Sequence, residues 1–303
     1  MQQHWIRFEH AGSTGIATLV GDRVQVHRGD MFGAAEPTGI VLALADVKLL
    51  TPTAPSKVIA LWNNFKALGA KLNLATPAEP LYFMKAPNSF LAPGDAIRKP
   101  LGDAKVVFEG ELGIVIGKTC SAVPESQALA HVFGYTCAND VTAAEILNRD
   151  QSFAQWVRAK GFDTFCPMGP VVATGLDPAT LTVTTRLNGD VRQQYPISDM
   201  RFSVQQLVSL ISHDMTLLPG DVILCGASSG LVLEALGDCL REAGGLDLGG
   251  VFHQAGEVVG DDLVGDRRLD RALDVLRGFG PSDVLEHHHA REERRARVHL
   301  VLA

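Results

Sequence analysis

Glu109 and Glu111 are separated by one residue, in a run whose other residues follow the pattern of a β-strand. Four even positions of residues 106–117 form an apolar face: Phe108, Leu112, Ile114 and Ile116. Because alternate residues of a strand point to opposite faces, the two glutamates lie together on the other face, with Cβ atoms about 7 Å apart. Partly buried carboxylates this close raise each other's pKa unless a cation lies between them, a need that a divalent metal ion would meet. An exposed face with two solvated glutamates is the alternative.

A third carboxylate, Asp140, follows an uncharged run at 135–139 that is typical of a strand. Three carboxylate ligands favour a hard ion, so the sequence predicts Mg²⁺ or Mn²⁺, with water and a bidentate substrate in the remaining coordination positions. Asp140 could instead cap a following helix, a role that Thr142 could also take.

A lysine shares the spacing of an apolar helical stripe in residues 151–160. The stripe has the positions i, i+3, i+4 and i+7: Phe153, Trp156, Val157 and Lys160. Gly161 follows as a candidate C-cap. The ammonium group of Lys160 could stabilise the negative charge of an enolate, and a lysine that complements the helix dipole explains its position equally well.

Three further residues are candidates for substrate binding: Lys85, Arg149 and Asp150. Lys85 ends an apolar strand before a proline turn and could lean into the same site, although a surface lysine with its amine in solvent fits equally well. Arg149 and Asp150 precede the helix that carries Lys160.

The elements that must position these residues indicate an α+β fold with a mixed sheet. Residues 1–55 form a small β-rich N-terminal domain, with a hairpin around Gly21 and Asp22. A stretch rich in proline and threonine then leads into the main domain, residues 56–230. Its strand-like runs and helical patterns alternate irregularly, with strands at 106–117, 181–187 and 222–225 and helices at 125–132, 151–160 and 204–212.

Four runs in this order resemble the fumarylacetoacetate hydrolase family: FEGELGIVIGK, FGYTCAND, RAKGFDTFCPMGPVV and MTLLPGDVILCG. The resemblance spans residues 57–230 and implies a mixed β-roll, a homodimer, and Mg²⁺ or Mn²⁺ held by Glu109, Glu111 and Asp140. It also implies that Lys160 acts in the catalytic site. Members of the family act on 2-oxo or β-diketo acids by C–C hydrolysis, decarboxylation, hydration or enol–keto isomerisation.

Two departures from the family pattern limit what the resemblance implies. Hydrolytic members carry a histidine where this chain has Ala67, which favours decarboxylation or isomerisation over hydrolysis because a water-activating base is missing. The family's threonine-containing substrate loop is also altered, since Ala227 stands at the threonine position.

The last 73 residues, 231–303, contain no Lys, Asn, Ile, Thr, Tyr, Met or Trp. A GC-rich gene read out of frame after Gly230 would give such a composition, and a genuine alternative domain is the other explanation. We expect no closing strand in this atypical tail, which would then be disordered, apart from an amphipathic helix at 270–277. A native metal site at the three histidines 287–289 is not expected, because consecutive residues do not share one face.

Composition excludes several classes of function. A net charge of -7 provides no basic surface for nucleic acid, and no apolar run approaches the roughly 20 residues that span a membrane. Residues 1–20 include Arg7 and Glu9 rather than an unbroken apolar stretch, so we expect a cytoplasmic protein. The five scattered cysteines predict buried thiols.

These observations together predict a metal-dependent enzyme acting on a small 2-oxo or β-diketo acid. The expected reaction is C–C bond cleavage or enol–keto isomerisation, in the catabolism of aromatic compounds. The alternative is a non-catalytic or degraded homologue that lacks the closing strand and the substrate loop.

Overall fold

The computed structural model describes residues 2–100, 105–147, 149–150, 152–228, 253–259 and 296–302. Strands dominate this part of the chain, as the α+β prediction requires. Among the residues described, none of the helices has the length and apolar character that crossing a membrane requires.

The described strands, numbered in chain order, are β1 Gln3–His10, β2 Ser13–Val20, β3 Arg23–Gly29, β4 Ala35–Ala43, β5 Lys48–Leu49, β6 Val58–Trp62, β7 Leu81–Lys85, β8 Phe90–Leu91, β9 Ala96–Arg98, β10 Val106–Val107, β11 Gly110–Ile116, β12 Val132–Asn139, β13 Thr142–Ala143, β14 Cys166–Pro167, β15 Val172–Thr174, β16 Thr182–Leu187, β17 Asp190–Pro196, β18 Val222–Leu224, β19 His253–Val259 and β20 Ala296–Leu302. The described α-helices are α1 Lys66–Lys71, α2 Glu125–Ala128, α3 Ala144–Leu147, α4 Trp156–Lys160 and α5 Val204–Asp214.

An eleven-stranded mixed sheet forms the centre of the described structure. Its order is β4-β3-β2-β1-β15-β12-β11-β18-β6-β7, with β5 paired to β1. The predicted N-terminal hairpin is confirmed as β2 and β3, and β1 pairs with β15, so the N-terminal strands continue the sheet of the main domain. A second sheet has the order β17-β16-β20-β19-β9.

Strand β11 lies between β12 and β18, and all seven of its residues are buried. A strand that neighbours cover on both faces contains mostly apolar residues. The sequence correctly predicted the apolar face of this strand. The opposite face, which also carries Glu111, is buried as well, so the alternative of two solvated glutamates is wrong.

The long helix α5 follows the predicted pattern closely. Ser203 caps it, with its hydroxyl accepting from the Gln206 N–H while the Gln206 side chain accepts from the Ser203 N–H. This reciprocal arrangement satisfies two backbone donors at the start of the helix. The other helical predictions are too long, since 125–132 contains only the short helix α2 and a 3-10 turn, and 151–160 contains only α4.

The expectation that the tail is disordered and contains no strand is wrong for residues 253–259 and 296–302. Strand β20 pairs antiparallel with β16, and β19 pairs with β20 and runs parallel to β9. The end of the chain does alternate, with apolar residues at 298, 300 and 302, but a neighbouring run of charged residues conceals the pattern. The predicted helix at 270–277 and the histidines 287–289 lie outside the described residues.

All four described cysteines are buried, which confirms the prediction for Cys120, Cys137, Cys166 and Cys225. Cys239 lies outside the described residues.

A buried aspartate joins β18 to the chain that leads into β6. The Asp221 side chain is fully buried, with one oxygen accepting from the Ser56 hydroxyl at 2.7 Å and from two backbone N–H groups. Its other oxygen lies 2.6 Å from Lys57 Nζ and accepts from the Leu218 N–H at 2.8 Å. Five contacts to one carboxylate hold the start of β18 in place.

We expect Asp221→Asn to lower the free energy of unfolding by about 3–5 kcal/mol, because an amide nitrogen would face donors and leave the Lys57 ammonium group unpaired. Chemical denaturation measures this change. The matched control is Asp46→Asn at an exposed position, for which we expect no change beyond error. Equal stability of the two variants would show that the Asp221 contacts do not support the fold.

Candidate active site

Three buried carboxylates meet at one end of the paired strands β11 and β12. Glu109 immediately precedes β11, Glu111 is its second residue, and Asp140 immediately follows β12. The register places Glu111 opposite Ala138, and the Asp140 N–H donates to the Glu109 carbonyl oxygen at 2.8 Å. One oxygen from each carboxylate lies within 4.8 Å of the other two. The structure therefore brings the three predicted metal ligands together.

Two buried lysines contact these carboxylates. Lys160 Nζ donates to Glu109 Oε2 at 2.9 Å, to Thr142 Oγ1 at 2.7 Å, and to Asp140 Oδ2. Lys85 Nζ lies 2.8 Å from Asp140 Oδ1 and donates to the Val141 carbonyl oxygen at 3.2 Å. Lys85 is 1% exposed and Lys160 3%, so the alternative of a surface lysine at position 85 is wrong.

Lys160 reaches the carboxylates from the end of the short helix α4. The predicted stripe is only partly confirmed, since Trp156 and Lys160 face the protein while Phe153 is 73% and Val157 54% exposed. The stripe fails because the helix begins at Trp156, so Phe153 does not share its periodicity.

The chain after β18 closes the far side of the cluster. The Gly226 N–H donates to Glu111 Oε2 at 2.7 Å. Gly226 has a φ of 83°, and an added Cβ would lie 3.1 Å from the Leu61 carbonyl oxygen, so both conformation and space favour glycine. Asn64 donates from its side chain to the Cys225 carbonyl oxygen at 3.0 Å, which fixes the same segment.

Two residues of β17 hold the backbone between the glutamates. The Tyr195 hydroxyl donates to the Gly110 carbonyl oxygen at 2.5 Å, and Gln193 Oε1 accepts from the Gly110 N–H at 2.9 Å. Sequence reasoning missed Tyr195, Gln193 and Asn64, because all three act over more than 80 positions in the chain. Gly226 stood within a recognised motif, but nothing in that motif indicated its contact with Glu111.

The pKa values follow from burial and from the uneven distribution of the lysines. Burial raises the pKa of Glu111 well above its ordinary value, and the nearby Asp140 and Glu109 carboxylates raise it further. Burial also raises the pKa of Glu109, although Lys160 opposes the increase. For Asp140 the effect of burial is outweighed by Lys160 and Lys85, which lower its pKa. Burial disfavours the charge on Lys160, but Asp140 and Glu109 outweigh it and raise the pKa of the amine.

The donor set fits a divalent cation. With all five groups ionised, three carboxylates and two ammonium groups give the buried cluster a net charge of -1. The raised pKa of Glu111 indicates that the excess negative charge is least favourable on that residue. Hard carboxylate oxygens are the ligands that Mg²⁺ and Mn²⁺ prefer. The residues present could therefore hold the predicted ion.

The other predicted site residues lie apart from this cluster. Arg149 and Asp150 are exposed, and Asp150 Oδ1 accepts from the Ser152 N–H and hydroxyl at 2.9 and 2.7 Å. Their role in substrate binding stays a prediction. Ala67, at the position of the expected histidine, donates its N–H to Asp199 Oδ2 at 3.0 Å.

Two family models match the chain over most of its length. The model described as fumarylacetoacetate (FAA) hydrolase C-terminal matches residues 57–264, and the model described as Rv2993c-like, N-terminal matches residues 3–52. The first match extends beyond Gly230, into the segment of unusual composition.

Individual relatives and solved structures agree with these matches. The chain is 44% identical over 203 residues to Protein Rv2993c of Mycobacterium tuberculosis, which covers 66% of this chain and 76% of that protein. It is 37% identical over 195 residues to the mitochondrial oxaloacetate tautomerase FAHD2B of Homo sapiens, covering 63% of this chain and 62% of that protein. The crystal structure of 2-hydroxyhepta-2,4-diene-1,7-dioate isomerase from Mycobacterium marinum matches with a TM-score of 0.67 and 38% identity, over 73% of this chain and 86% of that chain.

We expect Glu111→Gln to stabilise the metal-free protein at neutral pH. A carboxyl group whose pKa is raised by folding contributes stability that is present below its unfolded pKa and is lost as the pH rises through the folded value. The glutamine remains uncharged and can still accept from the Gly226 N–H. In EDTA, the melting temperature of the variant should exceed that of the parent at about pH 8, and the difference should shrink towards about pH 5.

The control for this experiment is Glu9→Gln, at an exposed position of β1. A melting-temperature difference between Glu111→Gln and parent that stays constant from about pH 5 to about pH 8 would contradict the raised pKa.

Proposed function

Because the chain belongs to the fumarylacetoacetate hydrolase family, we propose that it acts on a small 2-oxo or β-diketo acid, by enol–keto isomerisation or C–C bond cleavage. The observation that carries this proposal is the buried cluster of three carboxylates, two of which, Glu109 and Asp140, form ion pairs with the buried lysines. The isomerase and the tautomerase among the similar proteins support it. A role in the catabolism of aromatic compounds, a homodimeric state and a cytoplasmic location stay predictions.

Glu109, Glu111 and Asp140 would hold Mg²⁺ or Mn²⁺, which, when bound, acts as a Lewis acid towards the oxygens of a 2-oxo carboxylate. A divalent ion changes the net charge of the cluster from -1 to +1. A substrate carboxylate would neutralise the remaining charge. The charge balance therefore favours an anionic 2-oxo acid over a neutral ketone.

Lys160 is the residue best placed to stabilise negative charge that develops on the substrate. The raised pKa of its amine keeps it protonated, so it acts as a hydrogen-bond donor and a positive charge rather than as a base. Lys85 adds a second ammonium group on the other oxygen of Asp140. Burial of both groups strengthens their electrostatic effect, because little water screens them.

Position 67 favours isomerisation or decarboxylation over hydrolysis. Ala67 has no side chain that can activate water, and its N–H already donates to Asp199. Enolisation of a 2-oxo acid, and loss of the β-carboxylate from a 2-oxo acid such as oxaloacetate, both place negative charge on the 2-oxo oxygen. The lysines and the three carboxylates, once loaded with an ion, would stabilise that charge. The carboxylate lost in decarboxylation leaves as CO2 and the α-proton lost in enolisation would pass to water, so neither step needs a base that activates water as a nucleophile.

The function is tested with oxaloacetate, acylpyruvates, fumarylacetoacetate and hydroxymuconate-type dienoates, assayed with Mg²⁺ or Mn²⁺ and again with EDTA. Enol–keto exchange, decarboxylation and hydrolysis are followed separately in each assay. Metal-dependent turnover of at least one compound is expected. The absence of turnover for the whole panel would contradict the proposal.

We expect Glu111→Ala to abolish Mg²⁺ binding and turnover while leaving the protein folded, because two carboxylates provide too few hard ligands and their mutual repulsion is reduced. Titration calorimetry with Mg²⁺ measures the loss. The matched control is Glu79→Ala at an exposed position, which should bind Mg²⁺ as the parent does. A variant at position 111 with parental Mg²⁺ affinity would exclude Glu111 from the metal site.

We expect Lys160→Met to lower turnover by about 100-fold or more, as removal of a charge-stabilising donor does. Methionine keeps the length of the side chain but cannot donate to Glu109, Asp140 or Thr142. Steady-state kinetics and thermal unfolding are measured together, with Lys118→Met at an exposed position as the matched control. Unchanged turnover with a lower melting temperature would assign Lys160 a purely structural role.

A further inference from the structure

Three aromatic rings lie beside the lysines of the candidate active site. Lys160 Nζ lies 5.1 Å from the centre of the Phe83 ring. Trp156 stacks on Phe83, with ring centres 5.4 Å apart and an angle of 22° between the ring planes. The ring centres of Trp62 and Trp156 are 5.3 Å apart. Phe83, Trp156 and Trp62, here called the aromatic cluster, are all partly exposed.

The sheet places two members of the aromatic cluster on the face that carries Lys85. Phe83 and Lys85 are two residues apart on β7, so their side chains share a face. Trp62 of β6 pairs with Leu81 of β7, which lies on that face as well. The face therefore leads from the buried ammonium group of Lys85, past Phe83, to Trp62 and to Leu81, which is 45% exposed.

The helix α4 repeats this arrangement. Trp156 and Lys160 are four residues apart, the spacing that places side chains on one face of a helix. Each of the two elements thus presents a lysine to the carboxylates and an aromatic ring farther out. Since Trp156 contacts both Phe83 and Trp62, the aromatic cluster forms one apolar wall between the charged interior and the solvent.

Packing of α4 against the sheet does not fully account for this wall. The exposed fraction rises from 1% and 3% at the two lysines to partial exposure at the three rings and to 45% at Leu81. Rings that served packing alone would gain most from complete burial. Large, half-exposed rings next to a charged site are instead typical of binding surfaces, where polar groups orient a ligand and apolar side chains cover the rest of it.

We propose that Trp62, Phe83 and Trp156 form a subsite for a flat, apolar group at the end of the substrate opposite its 2-oxo carboxylate. A 2-oxo acid held at the carboxylates and Lys160 has one end in the charged interior, and its remaining atoms meet the aromatic cluster. Flat conjugated groups stack favourably on indole and phenyl rings. The enzyme should therefore prefer 2-oxo acids with an aryl or dienyl substituent over oxaloacetate.

This proposal rests on the proposed function for the position of the 2-oxo carboxylate, so its first test measures binding without turnover. Oxamate and N-phenyloxamate are unreactive probes that share one head group and differ in a phenyl ring. Titration calorimetry is performed on the full chain with Mg²⁺. We expect N-phenyloxamate to bind the parent about tenfold more tightly than oxamate, as stacking on aromatic side chains allows.

The test variant is Trp156→Leu, and Val157→Ala, next to it on the exposed side of α4, is the matched control. Trp156→Leu should remove most of the preference for N-phenyloxamate and leave the affinity for oxamate unchanged, whereas Val157→Ala should keep the preference. Thermal unfolding establishes that each variant is folded. If Trp156→Leu does not fold, Trp62→Leu on β6 takes its place.

Turnover separates failure of this proposal from failure of the proposed function. The parent is assayed with oxaloacetate and with 2,4-dioxo-4-phenylbutanoate. We expect a higher kcat/KM for the phenyl compound. Trp156→Leu should lower this kcat/KM, mainly by raising KM. Equal affinity of the parent for both oxamates, or equal loss of both in Trp156→Leu, would overturn the subsite. Loss of the preference in Trp156→Leu without turnover of any 2-oxo acid would support the subsite and contradict the proposed function. No binding of either probe would overturn both.

Discussion

Compensation of charge between three carboxylates and two lysines, all of them buried, is the interaction on which the rest of the structure depends. An isolated ionised side chain is costly to bury, and the cost falls only when opposite charges and hydrogen bonds surround it. Asp140 meets that requirement with a lysine on each oxygen. Glu111 has a single backbone N–H at 2.7 Å, so the cluster remains short of positive charge at that residue.

The scaffold holds this cluster with contacts distant in the sequence. Strand β11 and the residue just before it supply two of the carboxylates from the middle of the central sheet, where β12 and β18 pair with the two edges of β11. Tyr195 and Gln193 bind the peptide groups of Gly110, between the two glutamates. Asp221 fixes the start of β18, and the chain that leaves this strand brings the Gly226 N–H to Glu111. A carboxylate cluster positioned by several elements in this way can keep its geometry despite the repulsion within it.

The sequence alone predicted the parts of the site that depend on local periodicity. The alternation in residues 106–117 predicted that Glu109 and Glu111 lie together, and the uncharged run of β12 predicted Asp140 at a strand end. The structure divides residues 106–117 into β10 and β11, with Glu109 just before β11, but it does bring the three carboxylates together. Whether those faces were buried could not be predicted, because burial depends on β18 and β17, which begin more than 50 residues after β12 ends. The role expected of Lys160 came from resemblance to a family, since helix-dipole and active-site explanations fit its position equally well.

The incorrect predictions also have a physical explanation. The stripe assigned to residues 151–160 assumed one continuous helix, but the helix begins at Trp156, so Phe153 does not share its periodicity and is exposed. Val157 lies within the helix, on its exposed side. The alternation at 296–302 was not predicted to form a strand, because it directly follows a run of charged residues and shares arginine and histidine with it. Pairing with β16 decides the conformation there, and such pairing cannot be read from one strand. The composition of residues 231–303 describes the whole segment, whereas the pairing with β16 involves a strand of seven residues, β20.

The arrangement of charge and apolar surface further constrains which substrates the site can accept. Under the proposed function, a cluster loaded with a divalent ion would carry a charge of +1, which one substrate carboxylate would neutralise, so a second carboxylate on the same small molecule would have to lie outside the interior. The side chains that lie next to Lys160 in that direction are Phe83 and Trp156, which offer π faces and no ammonium group. A carboxylate packed against those rings would lose its hydration without gaining an ion pair, which is unfavourable. A neutral conjugated group would instead remove apolar surface from water, which is favourable. Under the proposed function, the two lysines that stabilise Asp140 would therefore also favour a substrate with one charged end, because they concentrate positive charge beside the carboxylates while the aromatic rings lie farther out.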